Sequence, residues 1–368
     1  MKKLIALCVL CAFVGDIAAQ SPKIYRPKCM VIDSENNMFI GEEFNLYKVT
    51  PTGEVSLYYD NSKNKTDRLE FRQMAIDKED NIYFIGRMEN KILKLTPNKI
   101  ISNYVGNKNN DRDKPVDGKG AAAGFTFINC ISISGDGTLY ISSAYPKLAE
   151  EDTVLKDKKW NCVVRTIDKQ LNVKTAKSSK TNKPKWFHEV TDVLANDDGS
   201  FYFGDKYALR KNEETSRTVL AGLPKKAYES LAKKPPYYIK FIMGDTSKAE
   251  FESANLLCRG KNGEILFLDN PVLRILKVQN GKVSNFAGNN DMSCHLQVIC
   301  GAAKQGYKDG AANVALFSGI VAMAFDSNWN LIVLDVNTKA NGVTKIRKIT
   351  PTGLVTTIYN NGEKESFN

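Results

Sequence analysis

One short pattern recurs six times along the chain: an apolar strand, a polar turn of four residues, then a second apolar strand. The turns begin at residues 33, 77, 134, 196, 260 and 326, so the unit persists while its spacing runs from 44 to 66 residues. The first copy is Met30-Val31-Ile32, Asp33-Ser34-Glu35-Asn36, Met38-Phe39-Ile40. The last is an apolar run ending at Phe325, Asp326-Ser327-Asn328-Trp329, then Leu331 to Asp335. Asp, Asn and Gly fill these turns because they tolerate a left-handed backbone or close it with a side-chain hydrogen bond. A third strand and usually a fourth follow, as in Ile92-Leu93-Lys94-Leu95 with Ile100 to Tyr104. Internal repetition of this kind decides the architecture before any single motif does.

A four-stranded meander buries little by itself. Stacked face to face with its neighbours it buries both faces, and a closed ring protects the edges. The expectation is therefore an all-β chain, a six-bladed β-propeller of four-stranded antiparallel blades. The blades are placed at 24–60, 68–106, 126–175, 189–223, 252–288 and 317–360, in a single domain over 21–368. Which strand closes the ring is not decided by the sequence.

Several segments together resemble the NHL repeat: Phe286-Ala287-Gly288, Lys308 to Ala312, Ala315-Leu316-Phe317, the run from Asp326 to Asp335, and Ile346-Arg347-Lys348-Ile349. Asp117-Gly118-Lys119-Gly120 with Ala123-Gly124-Phe125 is a weaker echo. The resemblance covers 280–360 best and fades in the third and fourth copies. It implies a propeller used as a binding platform and does not fix an activity.

Lys2 and Lys3 precede an apolar stretch from Leu4 to Val14, and Ala18-Ala19-Gln20 follows. This reads as a signal peptide over 1–20, which implies a secreted, periplasmic or cell-surface protein. The stretch is short for a bilayer span, and no later segment is apolar enough to cross one. Six cysteines remain beyond it. Cys294 and Cys300 lie close in a polar loop and are the expected disulfide. Cys130 and Cys258 lie in apolar strands, where a buried free thiol is equally expected.

The net charge is +11, and residues 156–185 hold ten Lys or Arg against Asp157 and Asp168. The excess is either a solvated face or a docking surface for a polyanion. Export argues against nucleic acid as that partner.

Propeller connectivity sorts the loops. Turns between first and second strands, and between third and fourth, lie on one face and are short. The other face carries 106–125, 143–162, 175–190, 221–253 and 288–317, and variable loops on a rigid scaffold are where binding sites are built. Three aromatic groups stand there beside cations: Trp160 with Lys158 and Lys159, Trp186 with Lys183 and Lys185, and Tyr237 with Tyr238. Aromatics beside cations suit a sugar ring or an anionic chain, although each can equally cap a blade core. Trp329, in a short turn of the opposite face, is read as packing. The expected ligand is a polysaccharide, an anionic surface polymer or a partner protein, bound by a monomer without a cofactor.

The second strands end in Glu42, Asp205, Asp269 and Asp335 at equivalent places. One reading has these acids pin the adjoining loops. The alternative has them hold calcium at the channel mouth of a hydrolase resembling six-bladed lactonases. Only His188 and His295 exist, fewer than the three histidines of the zinc site in amidating lyases, which have a similar propeller. No nucleophile triad or phosphate loop is recognisable.

Overall fold

The structure is a computed structural model that describes residues 21–62, 69–85, 90–107, 115–145, 161–177, 179, 181, 185–187, 190–205, 207–223, 242–288, 305–337 and 342–361. Asp33, Asp77 and Asp326 each open a turn by accepting bonds from the amides two and four residues on. The fourth turn residue is left-handed in every copy: Asn36, Asp80, Gly137, Gly199, Gly263 and Trp329. Five of the six are residue types that bear this conformation at low cost. Trp329, at φ 62°, is not.

Each turn joins an inner strand to a second strand, and the meander continues outward. Six antiparallel sheets result. Their inner strands are Cys29–Ile32, Gln73–Ile76, Ile128–Ile133, Asp192–Ala195, Asn255–Arg259 and Ile320–Phe325. Each touches the next, and the sixth touches the first, closing a six-bladed propeller about a central channel. The blades are richer than four strands in places. Gly118–Lys119 adds to the outer strand of the third blade, Gly244–Asp245 to that of the fifth and Gly310–Ala311 to that of the sixth. The arriving chain thus covers an outer edge that would otherwise present free amides.

The core is divided among the six blade interfaces. Phe71 and Phe84 fill the joint between blades one and two, and Phe125 with Ile141 the next. Phe187, Phe201 and Phe203 fill that between three and four, Phe251 and Phe267 that between four and five. Phe317 and Leu331 lie between five and six, and Ile40 with Leu334 between six and one. The second strands Met38–Gly41, Ile82–Ile85 and Ile265–Asp269 are buried along their whole length, as strands covered on both faces must be.

Among the described residues, the ring closes without exchange of a strand. Residues 24–26 lie between the last blade and the first. Ile24 is fully buried in their shared core, and its amide donates to the Tyr359 hydroxyl at 3.2 Å. Thr344 donates to the Tyr25 carbonyl at 3.3 Å, and the Glu42 carboxylate accepts the Tyr25 and Arg26 amides at 2.9 and 2.6 Å.

Cys29, Cys130, Cys162 and Cys258 are buried free thiols. Burial pushes Cys29 and Cys258 up to about 12. Cys294 and Cys300, and the segment 1–20, lie outside the described residues. Among the described residues no helix is long and apolar enough to cross a membrane.

Candidate ligand-binding face

The two ends of the ring differ in kind. On one, the short turns are laced to one another. The Ser34 amide and hydroxyl donate to Asp80, the Ser327 amide donates to Asn36, and the Gly135 amide donates to Asp197. Arg259 donates to Asn196 in the neighbouring turn. Side chains there are committed to holding blades in register. The described strands run into the long connections at the other end.

The acids that close the second strands stay in separate blades. Glu42 fastens the ring closure. Asp205 accepts from Arg210 Nε at 2.5 Å. Asp269 is fully buried, accepts the Glu252 and Ser253 amides at 3.0 and 3.2 Å, and pairs with Arg274 at 3.1 Å. Asp335 repeats this with the Ser318 and Gly319 amides, both at 2.9 Å, and with Arg347 at 3.0 Å. Burial raises both carboxyls, working against their arginines and amides. Asp269 and Asp335 thus each carry the inter-blade loop that leads into their own blade. Among the described residues, no group of three or more His, Cys, Asp or Glu side chains is arranged to hold a metal ion.

The arginines are the part the sequence reading missed. Arg165, Arg274 and Arg347 are fully buried. Arg347 reaches Asp335, Asp309 and the carbonyls of Leu316 and Lys308. Arg165 likewise bonds Asp117 and the carbonyls of Val116 and Gly124. Asp117 and Asp309 then cap Thr175 and Thr357 on the outer strands. The signal was present, since Asp-Gly occurs at 117 and 309 and Arg in the third strands at 165 and 347. A charged residue in an apolar strand is easily read as facing water.

Of the expected ligand contacts, Trp160, Lys158, Lys159, Lys183, Tyr237 and Tyr238 lie outside the described residues, as do both histidines. Trp186 lies in a short strand, Trp186–Phe187, that pairs opposite Val163 and Cys162. Phe187 is buried between blades three and four, under the Arg217 guanidinium at 4.2 Å. Lys185 donates to the Glu213 and Glu214 carbonyls, both at 2.8 Å, and burial lowers its pKa. It straps this segment to blade four.

At the axis, a cavity of about 110 Å³ lies among the inner strands, lined by residues including Lys28, Gln73, Ser132, Asp192 and Leu257. Its wall is formed by the inner strands of the blades. Asp192 accepts the Val193 amide at 2.8 Å and, across the joint, the Leu257 amide at 2.7 Å. Burial still pushes its carboxyl up to about 6. Leu257 follows Leu256, a left-handed residue at φ 51° inside a bulge of its strand.

No protein-family model and no curated protein matches the chain. Solved structures do. A structural-genomics protein of unknown function from Bacteroides thetaiotaomicron VPI-5482 has a TM-score of 0.58 at 13% identity, over 89% of this chain and 70% of that one. An auxiliary nutrient binding protein from the same strain has a TM-score of 0.57 at 14% identity, over 91% and 70%. Another, from Bacteroides ovatus ATCC 8483, has 0.55 at 12%, again over 91% and 70%. At such identities the likeness establishes the propeller fold, which is the fold this chain has.

Proposed function

We propose that the protein is an exported, non-catalytic, NHL-like binding propeller. In this reading residues 1–20 are a signal peptide, and the long-loop face takes a polysaccharide, an anionic surface polymer or a partner protein. The observation that carries it is the division of labour between the two ends. One end spends side chains joining blade to blade, and at the other the described strands of a rigid ring run into the long connections. Two of the fold neighbours are named auxiliary nutrient binding proteins, which agrees with this use of the scaffold. For the calcium-dependent hydrolase, the carboxylates that would carry the ion are engaged by loop amides and arginines in four separate blades.

The test is a binding screen of the chain from residue 21 onward against neutral glycans, acidic glycans and heparin. A second protein has the lysines of 156–185 replaced by glutamine. Binding to one class, weakened in the variant, is the expected result. Stoichiometric calcium together with lactone hydrolysis would refute the proposal, and silence across all three classes would remove the polysaccharide and the anionic polymer and leave the partner protein.

A further inference from the structure

On the short-turn end, neighbouring turns bond to each other at the joints between blades one and two, three and four, four and five, and six and one. The joint between blades two and three differs. The turn at 77–80 gives its Asp80 carboxylate to Ser34 of blade one, and the turn at 134–137 gives its Gly135 amide to Asp197 of blade four. Among the described residues, no hydrogen bond or ion pair joins these two turns to each other. A cavity of about 230 Å³ lies between them, lined by residues that include Asp77, Lys78, Glu79, Tyr83, Ile133 and Lys169.

Tyr83 and Ile133 belong to the core between these two blades and give the lining its apolar part. Tyr83 is set by its hydroxyl, which donates to Asp77 at 3.0 Å, and by an edge-on contact with Tyr104 at 4.8 Å. One exposed cation stands on each side of the joint, Lys78 from blade two and Lys169 from the outer turn of blade three. Lys169 is laid across its turn because Gly137, left-handed at φ 87°, has no side chain. The Lys169 Cε is 2.5 Å from where a Cβ would stand. The neighbouring acids are occupied. Asp77 accepts the Glu79 and Asn81 amides, the Asn81 side chain and the Tyr83 hydroxyl. Asp136, beside Lys169, accepts from Ser134 and Thr138. Glu79 meets Lys78 at 3.8 Å with both side chains more than half exposed, a contact worth little in water.

We propose that this groove binds a small organic carboxylate, whose charge lies between Lys78 and Lys169 and whose apolar body packs on Tyr83 and Ile133. Drug-sized ligands take sites of about 300–1,000 Å³, so the smaller volume here suits an acid of one ring or a short branched chain. The two ammonium groups attract an anion as point charges. The aromatic and aliphatic part of the lining gains by covering apolar area, which a bare inorganic ion does not offer. The groove lies on the end opposite the long connections, so this site goes beyond the proposed function and stands independently of it.

The test titrates phenylacetate, isovalerate, phenylacetamide and sulfate into the wild-type chain, K78Q/K169Q and E79Q, followed by ligand-observed NMR. All the substitutions are at exposed positions, and an unchanged melting temperature checks the fold. The expected result is binding of at least one of the two acids that weakens about 10-fold in K78Q/K169Q, the loss of two exposed ion pairs. E79Q, which releases Lys78 from its loose partner, tightens it. Phenylacetamide binds less well than phenylacetate to wild type and equally to wild type and K78Q/K169Q, and sulfate does not displace the acid. Equal binding of the acid by wild type and K78Q/K169Q overturns the site. Displacement by sulfate at equal concentration overturns the organic ligand and leaves a site for a bare ion. Binding of neither acid overturns the inference altogether, while the glycan screen decides the proposed function separately.

Discussion

Arg347 is the residue whose loss the structure lets us weigh most directly. It and Asp335 are both fully buried, and their ion pair is 3.0 Å long. The same guanidinium bonds Asp309 at 2.7 Å and the Leu316 and Lys308 carbonyls at 3.1 and 2.9 Å, with the Phe317 ring 5.2 Å away. R347M keeps the length of the side chain and removes every donor. Taking one partner from a buried pair costs about 3–5 kcal/mol, because the other charge remains without compensation. We expect about 4 kcal/mol, a drop of roughly 10 °C in melting temperature for a chain of this size. R347M/D335N should recover about half of it, since the amide oxygen still accepts the Ser318 and Gly319 amides while the uncompensated charge is gone. The deficit of R347M also depends on pH. Without the arginine, the folded-state pKa of Asp335 rises further above its unfolded value. A raised pKa gives stability that is present at low pH and lost as pH rises through the folded value. The deficit should therefore be smaller at pH 5 than at pH 8. Urea unfolding followed by circular dichroism at both pH values measures all three quantities. A loss below about 1 kcal/mol, or a deficit larger at pH 5, would refute the view that Arg347 is the countercharge of the last blade.

Asp192, with its carboxyl at about 6, gives stability that is present below the ordinary value of 3.8 and lost as pH rises through 6. Wild type should accordingly gain on D192N between pH 7 and pH 5, read as the difference of their unfolding midpoints. G204A should destabilise by about 3 kcal/mol, because the added methyl would meet the Ala254 carbonyl and the Thr191 hydroxyl, and backbone cannot step aside as a flexible side chain can. W329N should be neutral or stabilising by up to about 1 kcal/mol, since Asn bears the left-handed turn position while a tilted ring contact with Phe325 at 5.8 Å is lost; a loss of 1 kcal/mol or more would show that the contact outweighs the strain. Native-state alkylation at pH 8 should leave Cys29, Cys130, Cys162 and Cys258 unmodified, which mass spectrometry of tryptic peptides reads.

The blade count, the six turns and the stacked all-β architecture were legible in the sequence for a physical reason. A hairpin is set by residues close in the chain, and Asp33, Asp77 and Asp326 write the turn with their own carboxylates. The apolar alternation marks strands that need cover on both faces, and six copies of such a unit have few ways to find it. The structural use of Asp335 and its equivalents was also legible as one of two readings, because a repeated acid at a strand end implies a repeated local bond. What the repeat could not show is contact between residues far apart in the chain. The closure through Ile24 and Tyr25 joins segments more than 300 residues apart. The pairing of Arg347 with Asp309 spans 38 residues, and although Asp-Gly and a third-strand Arg recur together at 117 and 165, nothing local to either residue shows that the two meet.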